Sequence, residues 1–135
     1  MNEWNRSVIE EFRANAGVVS GVFTGIALLI LHNVGAKSGE PRLNPLAYQQ
    51  LEDGYAIFGS MGGAPKNPAW VHNIAANPKV EVEFGDRTEV LVARVASGSE
   101  RARIWAKQKV DMPQFAEYEA KTDREIPVIV LESAA

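Results

Sequence analysis

Two short segments of the 135-residue chain carry side chains that could hold an anion or a flat ring. The first is Gly35-Ala36-Lys37-Ser38-Gly39-Glu40-Pro41-Arg42. Lys37 and Arg42 can project from one end of a strand pair, and a turn through Ser38 and Gly39 exposes backbone N–H donors. A phosphate or carboxylate suits such a place. A charge-assisted hydrogen bond contributes roughly 1.5–3 kcal/mol, against about 0–1 kcal/mol for a surface ion pair, so a bound anion would matter. Lys-Ser-Gly is also common turn material, and spacing alone leaves a solvated hairpin turn equally open. The G-x-x-x-x-G-K-[ST] spacing of a P-loop is absent.

The second segment runs from Ser60 through Met61, Gly62, Gly63, Ala64, Pro65, Lys66, Asn67 and Pro68 to Trp70. Two glycines and an alanine leave the backbone unshielded, so a flat ring could approach it closely. A helix starting at Pro68 would direct free N–H groups towards an anion or a polar ring edge, and Lys66 adds positive charge. On spacing alone, a strand-to-helix connection whose glycines only satisfy backbone geometry is the simpler account.

Composition removes other chemistries. There is no cysteine, so neither a disulfide frame nor a thiolate site can form. With only His32 and His72, no His-rich zinc site is available, and no metal is expected. A net charge of −3 gives no general pull towards nucleic acid. Hydrophobic residues at 46% and charged residues at 23% make an ordinary globular mixture. One domain spanning residues 1–135 is the expectation. The N-terminus has mixed charge rather than a basic leader, which predicts a cytoplasmic location. Ala14 to Ala36 is uncharged and repeats glycine at 17, 21 and 25. Its most apolar run, Ala16 to Leu31, is shorter than the roughly 20 residues a spanning helix needs. A Gly-rich connection over about 15–26, leading into a buried strand, is expected instead.

Trp4, Val8, Ile9 and Phe12 share a face at helical spacing, predicting a helix over about 3–14 with Asn2 as its cap. That stripe could pack on the protein, the favoured reading, or touch a membrane surface. Strands are predicted at Ala27–Val34, Arg42–Leu51, Tyr55–Ser60, Lys79–Phe84, Thr88–Ala96 and Pro127–Leu131. Asn67-Pro68 has the form of a helix cap followed by proline in the first turn, and Asn77-Pro78 stops that helix. Ser97 and Glu100 have capping-box spacing for a helix to about Val110. Gln114–Lys121 reads as a shorter helix. Helices do not alternate with strands, so a doubly wound sheet is disfavoured. A mainly β, mostly antiparallel barrel with peripheral helices fits best.

Taken in order, three motifs resemble the deazaflavin-dependent nitroreductase family, which includes F-420-dependent quinone reductases of actinobacteria. They are Gly35-x-Lys37-Ser38-Gly39-x-x-Arg42-x-x-Pro45-Leu46, then Gly62-Gly63-Ala64-Pro65-Lys66-Asn67-Pro68-x-Trp70-x-His72-Asn73-x-x-x-Asn77-Pro78, then Thr122-Asp123-Arg124-x-Ile126-Pro127. The similarity runs from about Leu28 to Glu132. It implies the split β-barrel shared with flavin mononucleotide-binding proteins. It also implies a deazaflavin coenzyme, F-420, that passes hydride to a small organic acceptor: a quinone, an unsaturated lactone such as a coumarin, or a nitroaromatic.

The implied roles follow residue by residue. Lys37, Ser38, Gly39 and Arg42 would hold the coenzyme's phosphate and polyglutamate tail. Pro45 and Leu46 would line its ring. Ser60, Met61, Gly62, Gly63, Ala64, Pro65 and Lys66 would wrap its edge, with Trp70 and Asn73 bracing that loop. The Ser60 hydroxyl would lie near the reacting centre, or simply cap the loop. Met112, Phe115 and Tyr118 fall where relatives often have three tyrosines near substrate. Only Tyr118 keeps the hydroxyl, as a polar handle or proton donor in an otherwise apolar wall. Met61 stands where some relatives have lysine. Two alternatives remain: a flavin mononucleotide-dependent reductase, and a non-catalytic carrier of deazaflavin or lipid. The expected partner is a small-molecule acceptor. Weak membrane-surface association is left open, and the chain would be a monomer or weak dimer.

Overall fold

The computed structural model describes residues 3–21 and 25–134. Seven strands form one antiparallel sheet: β1 (Leu28–Val34), β2 (Pro41–Ala47), β3 (Gln49–Gln50), β4 (Gly54–Phe58), β5 (Lys79–Phe84), β6 (Arg87–Val95) and β7 (Val128–Ser133). Their spatial order is β2-β1-β5-β6-β7-β4-β3. β2 and β3 are consecutive in the chain yet sit at opposite edges of the sheet. The sheet therefore curls until β2 comes up against β4, without a ladder between those two. This is the antiparallel barrel with peripheral helices that the pattern of elements predicts, in the split form that the family resemblance implies.

One strand was expected over Arg42–Leu51, and the structure breaks it at Tyr48. The Tyr48 N–H still donates to the Ala27 carbonyl beside β1. Its ring packs edge-on against Tyr55 and Phe84, with centroids 5.7 and 5.5 Å away. The next residue, Gln49, is buried and donates to the Ile104 carbonyl and the Gln108 side chain. These contacts pull the chain out of register with β1 and hand it to β4.

β1 reads as a continuous apolar run because both of its faces are covered. Leu29 and Leu31 point into the barrel beside Ile57, Val82 and Leu131. Leu28 and Ile30 meet Val8, Ile9 and Phe12 of helix α1 (Glu3–Ala14). Arg13 ties that helix to β5 through a two-pronged contact with Glu83, at 3.0 and 2.6 Å. His32 of β1 reaches the same carboxylate at 2.5 Å. The expected Asn2 cap lies outside the described residues, as does part of the Gly-rich connection. Among the described residues, no helix is long and apolar enough to cross a membrane.

Three more helices lie outside the barrel: α2 (Ala69–Ala76), α3 (Gly98–Asp111) and α4 (Gln114–Ala120). Two expected caps are corrected. α2 starts after Pro68 without a side-chain cap, because the Asn67 oxygen accepts from Arg124 instead, at 2.7 Å. Ser97 does precede α3 but makes no cap bond, and Glu100 is drawn to Arg94, at 2.6 and 2.8 Å.

Candidate active site

The gap where the barrel fails to close holds a cavity of about 560 Å³. One side is the open edge of β2, with Asn44, Pro45, Leu46 and Ala47. The Gly35 N–H bonds to the Glu40 carbonyl and the Tyr48 N–H to that of Ala27. In an antiparallel ladder this sets the alternation: residues 42, 44 and 46 bond to β1, while 43, 45 and 47 face the open edge. Pro45, lacking an N–H, thus sits where no donor is required by the sheet, and it discourages another strand from adding there.

The opposite side is the turn after β4. Met61, Gly62 and Gly63 all have positive φ, at 46°, 63° and 85°. A Cβ on Gly63 would lie 2.8 Å from the Tyr118 carbonyl and 3.0 Å from Lys121 Cβ, so only glycine lets this turn lie on α4. A Cβ on Gly62 would meet nothing within 4 Å, because Gly62 faces the cavity. Arg124 holds the turn from behind. It donates to the carbonyls of Ser60 and Ala64, both at 2.9 Å, and to Asn67 Oδ1. Sequence reasoning quoted Arg124 within a motif but gave it no role. Flanked by Asp123 and Glu125, Arg124 carries no local signal that it turns to carbonyls about 60 positions away.

α4 supplies the third wall, with Phe115 and Tyr118, and Met112 and Gln114 beside them. Phe115 is both core and wall: its ring lies 5.6 Å from Phe58, 6.1 Å from Trp105 and 5.2 Å from Tyr118. No described residue takes the Tyr118 hydroxyl. Glu119 pins α4 to α3, accepting from Trp105 Nε1 at 2.6 Å and Lys109 at 3.0 Å. Burial pushes the Glu119 carboxyl up, but those two donors outweigh it and hold it below the usual range. Behind Met112, Gln108 donates to its sulfur at 3.3 Å.

The expected site residues fall into two places. Pro45, Leu46, Ser60, Met61, Gly62, Trp70, Met112, Phe115 and Tyr118 line the cavity. Lys37, Ser38 and Gly39 lie exposed at the β1–β2 hairpin tip, and Arg42 pairs with Glu40 at 3.2 Å and faces a shallow cleft beside Lys79. Gly63, Ala64, Pro65 and Lys66 continue the turn without lining the cavity. Asn73 was expected to brace that turn, and it does not: its Oδ1 accepts from the Ala36 N–H at 2.9 Å, so it braces the hairpin tip. α2 links the two places, with Trp70 at the cavity and Asn73 at the hairpin. Trp4 and Asn5 of α1, Asn44, Phe58 and Pro68 also line the cavity and were not foreseen.

The profile of the F420H(2)-dependent quinone reductase family matches residues 4–133. An F420H(2)-dependent quinone reductase of Mycobacterium tuberculosis is 37% identical over 106 residues, covering 76% of this chain and 71% of that protein. A solved F-420-H2-dependent reductase is 40% identical, with a TM-score of 0.71 over 78% of this chain and 93% of that one. A structure described as a domain-swapped dimer is 37% identical, with a TM-score of 0.73 over 96% of this chain and 98% of its own. The chain belongs to the F420H(2)-dependent quinone reductase family.

Proposed function

We propose that this chain is an F-420-dependent oxidoreductase that reduces a quinone-type acceptor in the cavity between β2, the Gly62 turn and α4. The carrying observation is that cavity. It lies within the roughly 300–1,000 Å³ common for small-molecule sites, and Gly62 leaves its floor free of a side chain. Leu46, Phe58, Trp70 and Phe115 give it flat apolar walls. These residues fit a planar tricyclic ring and a second flat molecule beside it. When bound, reduced F-420 supplies the hydride.

The chain's part is to bind, orient and exclude water. Pro45, Leu46 and the cavity-facing part of the turn, Ser60 to Gly62, hold the ring, and Arg124 keeps that turn in shape. Lys37 and Arg42, outside the cavity at the hairpin, hold the phosphate and carboxylates of a tail that leaves it. Tyr118 has an uncommitted hydroxyl in the wall and orients the acceptor or gives it a proton. Ser60, 8% exposed and at the cavity, is the other hydroxyl placed for that work. Met112 and Phe115 make the acceptor side apolar, which favours quinones and flat lactones over nitroimidazoles needing polar positioning. We place the enzyme in the cytoplasm as a monomer or weak dimer.

The test is a calorimetric titration with F-420 and with flavin mononucleotide, followed by turnover of menadione, a coumarin and a nitroimidazole using reduced F-420. Tighter binding of F-420 and quinone turnover are expected. Equal or tighter binding of flavin mononucleotide would move the chain to ordinary flavin chemistry. Binding without turnover of any acceptor would make it a carrier.

A further inference from the structure

Three asparagines connect the hairpin tip to the cavity, and their order of donors and acceptors can be worked out without reference to any ligand. The chain begins at the Ala36 backbone N–H, which can only donate. It donates to Asn73 Oδ1 at 2.9 Å. Asn73 therefore presents Nδ2 on its other side, and that group donates to Asn33 Oδ1 at 2.8 Å. Asn33 must in turn present its own Nδ2, which donates to Asn44 Oδ1 at 2.9 Å. An amide oxygen and nitrogen are ordinarily assigned from such a network, and here the network starts from a donor of fixed identity. Each asparagine is forced into one orientation. Asn33 and Asn73 are buried, at 5% and 8% exposed, so reversing either would set two acceptors or two donors against each other out of water.

Asn44 ends the chain with its oxygen engaged. Among the described residues nothing takes its Nδ2, and Asn44 lines the cavity beside Pro45. A half-buried amide N–H pair is left facing the place where the ligand goes. The open edge of β2 makes this donor more telling: between the outward-facing N–H groups of Leu43 and Ala47, Pro45 leaves a break in the row of backbone donors, and the neighbouring Asn44 side chain supplies a donor there. We propose that Asn44 recognises its ligand by donating from Nδ2 to a carbonyl oxygen of the molecule in the cavity, its orientation being set outside the site by the Ala36 N–H through Asn73 and Asn33. This rests on the reading of the cavity as the coenzyme and acceptor site. Both a deazaflavin ring and a quinone carry such oxygens.

The experiment uses Asn44→Asp and Asn44→Ala. Aspartate keeps an oxygen to accept from Asn33 but replaces the cavity-facing donor with a second acceptor that carries charge. Alanine removes both groups, leaving the buried Asn33 Nδ2 with only its longer contacts to the Leu31 and Arg42 carbonyls, at 3.4 and 3.5 Å. Thermal stability is expected to fall more in Asn44→Ala. Ligand recognition is expected to fall more in Asn44→Asp, by at least tenfold. The coenzyme arm is quenching of tryptophan fluorescence by F-420, since Trp4 and Trp70 line the cavity. The acceptor arm is the KM for menadione at saturating reduced F-420. A loss confined to the first arm places the oxygen on the coenzyme ring, and one confined to the second places it on the quinone; either supports the inference. Unchanged values in both arms, or a ligand loss larger in Asn44→Ala, would reduce Asn44 to a structural residue. If the wild-type chain fails to quench with F-420, the functional reading falls and this inference with it. Normal wild-type binding with indifferent variants sinks the inference alone.

Discussion

Arg124 shows how much one side chain can organise. A guanidinium presents its donors in a planar fork, and here the fork spans the carbonyls of Ser60 and Ala64 and the side chain of Asn67. Lysine could reach one of these acceptors but not all three. Arg124→Ala is expected to weaken F-420 binding about tenfold or more, with Arg124→Lys recovering only part of it; each lost bond to a charged group costs roughly 1.5–3 kcal/mol. Titration of both variants checks this, and a full recovery by lysine would show that charge rather than shape matters. Arg42 is a different case. Its present partner, Glu40, is an exposed ion pair of the kind that contributes about 0–1 kcal/mol, so exchange for a bound phosphate or carboxylate costs little. Arg42→Ala should weaken F-420 binding at least about tenfold, or roughly 1.4 kcal/mol, and have less effect on an analogue without the charged tail. At this scale the sequence showed which residues carry charge or hydroxyls. It could not show that Arg124 faces the back of the turn or that Asn33, Asn44 and Asn73 join up, because those partners are 11 to 64 positions apart.

The elements were more legible, for a physical reason. Val80, Val82 and Phe84 alternate with charged residues because β5 has one face in the barrel and one towards water. β1 lost that alternation because α1 covers its second face. The places that could not be foreseen are those where a distant group competes with a local one: Asn67 is taken by Arg124, Glu100 by Arg94, and Gln49 by α3. α1 offers a prediction of its own. The Arg13 guanidinium, against the cost of partial burial, holds the Glu83 carboxyl below its ordinary value of 4.5. A carboxyl depressed in the folded state stabilises that state above its unfolded value, and the contribution is lost as pH falls through the lower folded value. Wild type should therefore melt higher than Glu83→Gln at neutral pH, and the two curves should converge only as pH drops below about 4.5. Melting curves from pH 3 to 8 test this, and a difference that persists unchanged in acid would mean that the pair does not hold α1 through charge.

On the scale of the molecule, the site exists only because the barrel does not close. A barrel was legible in the run of strands and in the family motifs, but the place where the gap would fall was not. That depends on Tyr48 sending β2 and β3 to opposite edges. The cavity takes residues from α1, β2, β4, the Gly62 turn, α2 and α4, so the unfolded chain has no equivalent of it. A ligand that binds only the folded state stabilises the whole molecule by mass action. At a hundredfold excess over its dissociation constant the gain is about 2.7 kcal/mol, and for a domain of this size a kilocalorie moves the midpoint by roughly 3–6 °C. F-420 at that excess is expected to raise the melting temperature by about 10 °C. The rise should appear equally in far-ultraviolet circular dichroism and in tryptophan fluorescence, since one cooperative unit is being held. Flavin mononucleotide at the same concentration should give a smaller shift. A fluorescence transition that moves while the circular dichroism transition stays in place would show that the ligand orders the mouth of the cavity alone, and that the walls do not fold as one body.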